Sequence, residues 1–178
     1  MSASLVPLSQ AAWIALGANL GEPLNTFRAV LRLLTAWSPH PLRVSSVWQT
    51  PPVHCPAGSP PFFNAVVMLI PGPTETPESL LERLLSLERS FGRQPSSVRN
   101  APRPLDLDLV AFGQEQRHTE TLTLPHPRAH LRRFVLQPLS ELAPNLILPG
   151  QCLTVTQLLE QLPPLPGMHR VGTLEPWE

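Results

Sequence analysis

The chain contains only two aspartates, and they lie two positions apart in Arg103-Pro-Leu-Asp106-Leu-Asp108-Leu-Val110. On a β-strand, side chains at i and i+2 share a face and stand about 6–7 Å apart. The leucines between and after them point to the opposite face, where burial would pin the strand into a core. Two bare carboxylates held that close repel each other, and a hard divalent cation removes the repulsion. Carboxylate and phosphate oxygens are the usual ligands of Mg2+, so the pattern predicts a metal site. The plainer alternative is a pair of surface acids on an exposed strand.

The basic residues speak against that alternative. All 13 are arginine, and Arg83, Arg89, Arg93, Arg99, Arg103, Arg117, Arg128, Arg132 and Arg133 flank the aspartate pair on both sides. Codon bias accounts for the missing lysine and the 24 prolines, but not for this clustering. Without lysine there can be no Walker-type phosphate loop, no protein-kinase strand lysine and no Schiff base. The spacing of Gly17-Ala-Asn-Leu-Gly21 is also wrong for a phosphate loop. Any phosphate clamp must be built from arginine, histidine, backbone amides and metal.

The formal net charge is zero, which removes the general electrostatic case for nucleic acid or membrane surfaces. Cys55 and Cys152 form no CxxC motif, and His54 beside Cys55 reads as plain loop. Neither a leader segment nor an apolar run of membrane-spanning length is visible. The expectation is a reduced, cytoplasmic protein.

The elements that must hold Asp106 and Asp108 follow from periodicity. Residues 11–16 read as a short buried strand ending at Gly17. Pro23 opens a helix with Leu24, Phe27, Val30, Leu31 and Leu34 on one stripe. Residues 42–49 form a strand, 50–61 a proline-rich loop, and 62–70 a second apolar strand closed by Pro71-Gly72-Pro73. Thr76-Pro77-Glu78 starts a helix buried through Leu80, Leu81, Leu84, Leu85 and Leu87, which stops near Gly92. A polar loop then leads into the aspartate strand, which runs to Phe112 and a hairpin turning at Gly113-Gln114. One or two short helices occupy 129–142, another spans 154–162, and 163–178 is an irregular tail. The βαββαβ order predicts an α+β, ferredoxin-like sandwich, with helices on one face of an antiparallel sheet and a C-terminal extension. One domain, 1–178, has its core at about 11–150.

The stretch Pro102-Arg-Pro-Leu-Asp-Leu-Asp-Leu-Val110 resembles the signature of the 6-hydroxymethyl-7,8-dihydropterin pyrophosphokinase family. Other motifs resemble it in the same order: Gly17-Ala-Asn-Leu20, Ser45-Ser46 through Thr50-Pro51-Pro52, Phe62-Phe63-Asn64-Ala65, Glu88 and Gly92-Arg93. Leu124-Pro125-His126, Arg132 with Phe134, and Pro138-Leu139 through Ala143-Pro144 complete the series. The resemblance implies transfer of pyrophosphate from ATP to the pterin hydroxymethyl group with release of AMP, a step in folate biosynthesis. It implies Asp106 and Asp108 as ligands of two Mg2+ ions bound with ATP, in the two-metal manner. Arg93, Arg103 and His126 become the catalytic contacts to the phosphates, and Leu81, Glu88, Leu109 and Arg132 further ATP contacts. Phe62 and Phe134 sandwich the flat pterin, Asn64 reads its amide edge, and Thr50, Pro51 and Val53 line the same slot.

Read without the resemblance, Phe62 and Phe134 are core residues, Glu88 lies on a solvent face, His126 is structural, and Arg93 and Arg103 are solvated. The family's loop tryptophan is replaced by Asn100, and two of its arginines by Pro95 and Thr121. The expectation is a weakened lid and outer clamp with an intact metal site. Arg99, in the same loop, could reach phosphate, although one arginine in a polar loop is a weak signal. The expected partners are ATP and the pterin, with no nucleic acid and no membrane, on a monomer or at most a weak dimer. Two other classes fit the aspartate strand: a different Mg2+-dependent phosphoryl or nucleotidyl enzyme, and a non-catalytic binding module.

Overall fold

In the computed structural model, residues 8–96, 98 and 101–175 are described; Arg99 and Asn100 lie outside them. Among the described residues the strands are β1 (Ala12–Ala18), β2 (Arg43–Val44), β3 (Val47–Thr50), β4 (Phe62–Leu69), β5 (Asp106–Phe112), β6 (Arg117–His118), β7 (Thr123–Leu124) and β8 (His169–Gly172). The helices are α1 (Pro23–Thr35), α2 (Pro77–Ser90), α3 (Arg133–Leu142) and α4 (Val155–Gln161). The main sheet runs β5-β1-β4-β3-β8, with β2 also on β4. Every pairing in it is antiparallel.

Pro23 and Pro77 sit in the first turns of α1 and α2, where a missing N–H costs nothing. Thr76 and Ser79 cap α2 reciprocally. Phe27, Val30, Leu31 and Leu34 of α1, with Leu80, Leu84 and Leu87 of α2, pack on Ile14, Leu16, Val67, Leu69, Leu107 and Leu109. Leu85, expected on the buried stripe of α2, is exposed.

The expectation of helices on one face needs correction. α3 and α4 cover the other face, where Val135, Leu136, Leu139, Val155 and Leu158 pack on Trp13, Val66, Met68 and Val110. The cause is visible in the strands: Trp13 of β1 and Val66 and Met68 of β4 are as apolar as the residues beside them, which face the other way. A sheet apolar on both faces has to be covered on both. The irregular tail also needs correction, because His169–Gly172 forms β8 along the edge of β3. No helix among the described residues is long and apolar enough to cross a membrane.

Candidate active site

On the face that carries α3, the apolar packing stops short of the ends of β1, β4 and β5. A cleft of about 400 Å³ opens there, reaching to the start of α3. Strand register builds its floor: Gly17 of β1 lies opposite Asp106 on one side and Asn64 on the other, and Ala15 lies opposite Asp108. A Cβ on Gly17 would stand 3.6 Å from Asp106 Cβ and 3.8 Å from Asn64 Oδ1. The glycine therefore keeps the floor open between the two side chains.

The cleft's ends differ in chemistry. At one, Arg93 Nη1 meets Asp106 Oδ1 at 2.5 Å, Arg103 Nε lies 3.2 Å from Asp106 Oδ2, and Arg132 Nη1 lies 3.5 Å from Asp108 Oδ2. Arg103 Nε is buried beside Asp106 and, among the described residues, finds no acceptor in hydrogen-bonding geometry. Burial, then the charge of Asp106, push the Asp108 carboxyl above the usual range, with His126, Arg132 and Arg103 opposing. Among the described residues no three metal-ligating side chains gather into a cage. The donor set is two crowded carboxylates, which fits a hard cation that takes its other ligands from phosphate and water.

His126 is held by its own backbone N–H donating to Val110 O of β5 (2.8 Å). Its Nδ1 accepts from Arg128 N at 3.1 Å, so the neutral ring carries its proton on Nε2 as a donor. Burial lowers its pKa, reinforced by Arg132 and Arg128 and opposed by Asp108.

At the other end stand Phe62, Phe134, Thr50, Pro51, Val53 and Asn64. Asn64 Nδ2 donates to Thr50 Oγ1 at 3.0 Å, which fixes the carboxamide and leaves the rest of its polar edge to the cavity. Each ring adjoins an arginine of the charged end: Arg103 lies 5.6 Å from the Phe62 centroid and Arg132 5.5 Å from that of Phe134. The two ends thus meet at shared residues.

Twelve of the expected site residues line this one cleft: Arg93, Arg103, Asp106, Asp108, His126, Arg132, Thr50, Pro51, Val53, Phe62, Asn64 and Phe134. Leu81, Glu88 and Leu109 do not. Leu109 alternates away from the aspartates into the α2 face, and Leu81 packs against that same core. Glu88, read from the residues alone as a solvent-facing acid, is buried. It accepts from Leu107 N at 2.6 Å and pairs with Arg93. It therefore ties α2 to the backbone between the aspartates and holds Arg93 in position. Pro95 and Thr121 are exposed and outside the cleft.

The sequence reading did not single out Ala15, Leu16 or Leu165, which also line the cleft; so do Arg128, one of the flanking arginines, and His54 and Cys55, expected to be plain loop. Nor did it anticipate Asn19, a buried residue that ties three segments together. Its Oδ1 accepts from Arg103 N (2.8 Å), its own N–H donates to Arg103 O (3.1 Å), and Nδ2 donates to Pro60 O (3.1 Å). Small residues alternating at Ala15 and Gly17 were the signal for a floor.

Burial pushes Glu88 up to about 7, against the pull of Leu107 N–H and Arg93. A carboxyl whose pKa is raised on folding contributes stability that is full below about pH 4.3 and is lost as pH rises through about 7. The full difference is on the order of 3–4 kcal/mol, of which about 2–3 kcal/mol falls between pH 5 and 8. Thermal melts from pH 5 to 8 should show the melting temperature falling by about 5 °C more in the parent than in Glu88→Gln. Parallel melting curves would show that Glu88 does not titrate in this range.

A family model described as 7,8-dihydro-6-hydroxymethylpterin-pyrophosphokinase (HPPK) matches residues 13–144. The Haemophilus influenzae 2-amino-4-hydroxy-6-hydroxymethyldihydropteridine pyrophosphokinase is 37% identical over 167 residues, covering 93% of this chain and 98% of that protein. The Synechocystis protein of the same name is 34% identical over 169 residues, covering 92% and 85% respectively. An Arabidopsis thaliana folate synthesis bifunctional protein is 38% identical over 130 residues, 72% of this chain; the match spans only 26% of that longer protein. Among solved structures, Plasmodium falciparum HPPK-DHPS wild type with SDX-DHP superposes with a TM-score of 0.68 at 12% identity, covering 85% of this chain and 44% of that one. That last likeness is one of fold.

Proposed function

This chain belongs to the 7,8-dihydro-6-hydroxymethylpterin-pyrophosphokinase family, and on that premise we propose that its cleft transfers pyrophosphate from ATP to 6-hydroxymethyl-7,8-dihydropterin. The pterin hydroxyl oxygen bonds to the β-phosphorus as the bond from that phosphorus to the α,β-bridging oxygen breaks. AMP leaves, and the hydroxyl proton passes to solvent. We read the sheet order, with each βαβ unit split by an intervening antiparallel strand, as ferredoxin-like.

One observation carries the reading: a carboxylate and arginine end and an aromatic and carboxamide end share a single cleft. Asp106 and Asp108 would hold Mg2+, which when bound with ATP neutralises the charge on the transferring phosphates. Arg93, Arg103 and Arg132 supply preorganised positive charge to the triphosphate, and neutral His126 donates from Nε2. Phe62 and Phe134 stack on the pterin, while Asn64, oriented by Thr50, reads its polar edge. No strong general base is required, because catalysis here rests on positioning and electrostatics. The spent ion pairs matter too: Arg93 and Arg103 already lie on Asp106, so the arginines are placed before any phosphate arrives.

The direct test omits one component at a time from a mixture of protein, ATP, Mg2+ and pterin. AMP should form only when all are present. ADP, or AMP formed without pterin, would point to another phosphoryl-transfer class, and absence of turnover to a binding module. Phe134→Ala should raise the KM for pterin about tenfold, the loss of a stacked ring and its buried area. A KM unchanged by that substitution would remove Phe134 from the pterin slot.

A further inference from the structure

Residues 163–172 lie beyond the family match, which ends at residue 144, yet they reach the cleft. Leu165 lines it. Gly167, at φ +83°, lies against the Pro51 ring: a Cβ there would stand 3.7 Å from Pro51 Cγ and Cδ. β8 then pairs His169 with Gln49 and Arg170 with Trp48, the residues that lead into Thr50 and Pro51. Arg170 Nε donates to Ser46 Oγ at 2.7 Å.

The start of the segment is tied down as firmly. Arg133 Nη2 donates to Leu159 O (3.0 Å) and Leu162 O (2.7 Å), and its Nε to Pro163 O (2.9 Å). Arg133 lies between Arg132 and Phe134, both cleft residues, so the tether starts at the cleft wall itself. Pro163, Pro164 and Pro166 restrict the backbone on both sides of Leu165. Covering the open edge of β3 would explain β8 alone. It explains neither the carbonyl clamp of Arg133 nor a leucine turned to a polar-floored cavity.

We propose that Leu165 is an apolar contact for the pterin ring, and that residues 163–172 act as a strap holding Thr50 and Pro51 against it. The proposal rests on the pterin reading of the cleft. It makes Leu165 a specificity-determining residue: its side chain excludes water from the end of the slot opposite the phosphates. Arg133 and Arg170 are positioning residues that act through the strap.

The test uses the full-length chain and the variants Leu165→Ala and Leu165→Met. Affinity for 6-hydroxymethylpterin is read by its fluorescence in the presence of α,β-methylene-ATP, alongside affinity for that nucleotide, melting temperature and AMP release. Leu165→Ala should weaken pterin binding about tenfold, as expected for apolar groups removed from a pocket. Nucleotide affinity should stay within about twofold, and Leu165→Met, similar in volume, should restore most of the pterin affinity. Unchanged pterin affinity in Leu165→Ala overturns the proposal. So does an equal loss for pterin and nucleotide together with a lower melting temperature, which marks a structural role. If the parent binds pterin without releasing AMP, a selective loss in Leu165→Ala still supports the wall and only the reaction falls. If the parent binds no pterin, both fall.

Discussion

Asp108→Ala should lower pterin-dependent AMP release by at least about 1000-fold while leaving the fold intact. Asp108 sits on β5 opposite Ala15, and among the described residues its ion-pair partner is Arg132 at 3.5 Å. Burial and Asp106 both raise its pKa, so the ionised carboxylate is disfavoured in the protein alone. A group so placed contributes little to stability, and removing it relieves repulsion as well as losing one weak pair. The melting temperature should therefore hold or rise at neutral pH. On the proposed mechanism the cost falls on the reaction, because a carboxylate that positions a metal on the triphosphate would govern several kcal/mol of charge stabilisation. About 4 kcal/mol corresponds to roughly 10³ in rate. Steady-state AMP release and a thermal melt check both halves. Activity within about tenfold of the parent would defeat the assignment of Asp108 to the metal.

Arg103→Ala should lower kcat by about 100–1000-fold, the range seen when a preorganised donor to a developing negative charge is removed. Arg103 is held from three sides. Asn19 fixes its backbone through two hydrogen bonds, Asp106 lies at its Nε, and its guanidinium stands beside the Phe62 ring. It thus stands at the junction of the charged and aromatic ends, where the proposed reaction would make its bond. Lysine cannot reproduce a planar fork resting on a ring, so Arg103→Lys should recover less than about a tenth of the lost rate. Arg93 meets Asp106 independently of Arg103, so a displaced Asp106 would not account for the effect. A fall in ATP affinity with kcat preserved would instead make Arg103 a simple binding contact.

Much of this cleft was legible in the chain because strand parity is unforgiving. Asp106 and Asp108 alternate with Leu107 and Leu109, and the leucines are buried on the α2 face. The same parity keeps the Leu109 side chain out of the cleft, although the family resemblance implied an ATP contact there. Glu88 was legible in principle as well. It lies four residues after Leu84, on the buried stripe of α2, where a charge must find partners; its type suggested solvent and its phase suggested burial, and phase won.

Other features had no periodic signal. β8 is a four-residue strand, mostly exposed, held by backbone pairing and by Arg170 on Ser46. Nothing in a proline-rich stretch distinguishes such an edge from a loose tail. The second helical layer was missed because Trp13, Val66, Met68 and Val110 were not weighed as a face of their own. Phe62 and Phe134 show the limit of spacing: rings at core-like positions line a cavity only because β4 and α3 stop where they do.

Phosphorus-31 NMR of a mixture of the protein, Mg2+, ATP and 6-hydroxymethyl-7,8-dihydropterin tests the central claim most directly, because it shows which bond of ATP is cut and where both phosphates go. The account predicts AMP and a pterin diphosphate ester rising together in equal amounts, with neither ADP nor free pyrophosphate. ADP with a pterin monophosphate, or AMP with free pyrophosphate and unchanged pterin, would contradict it.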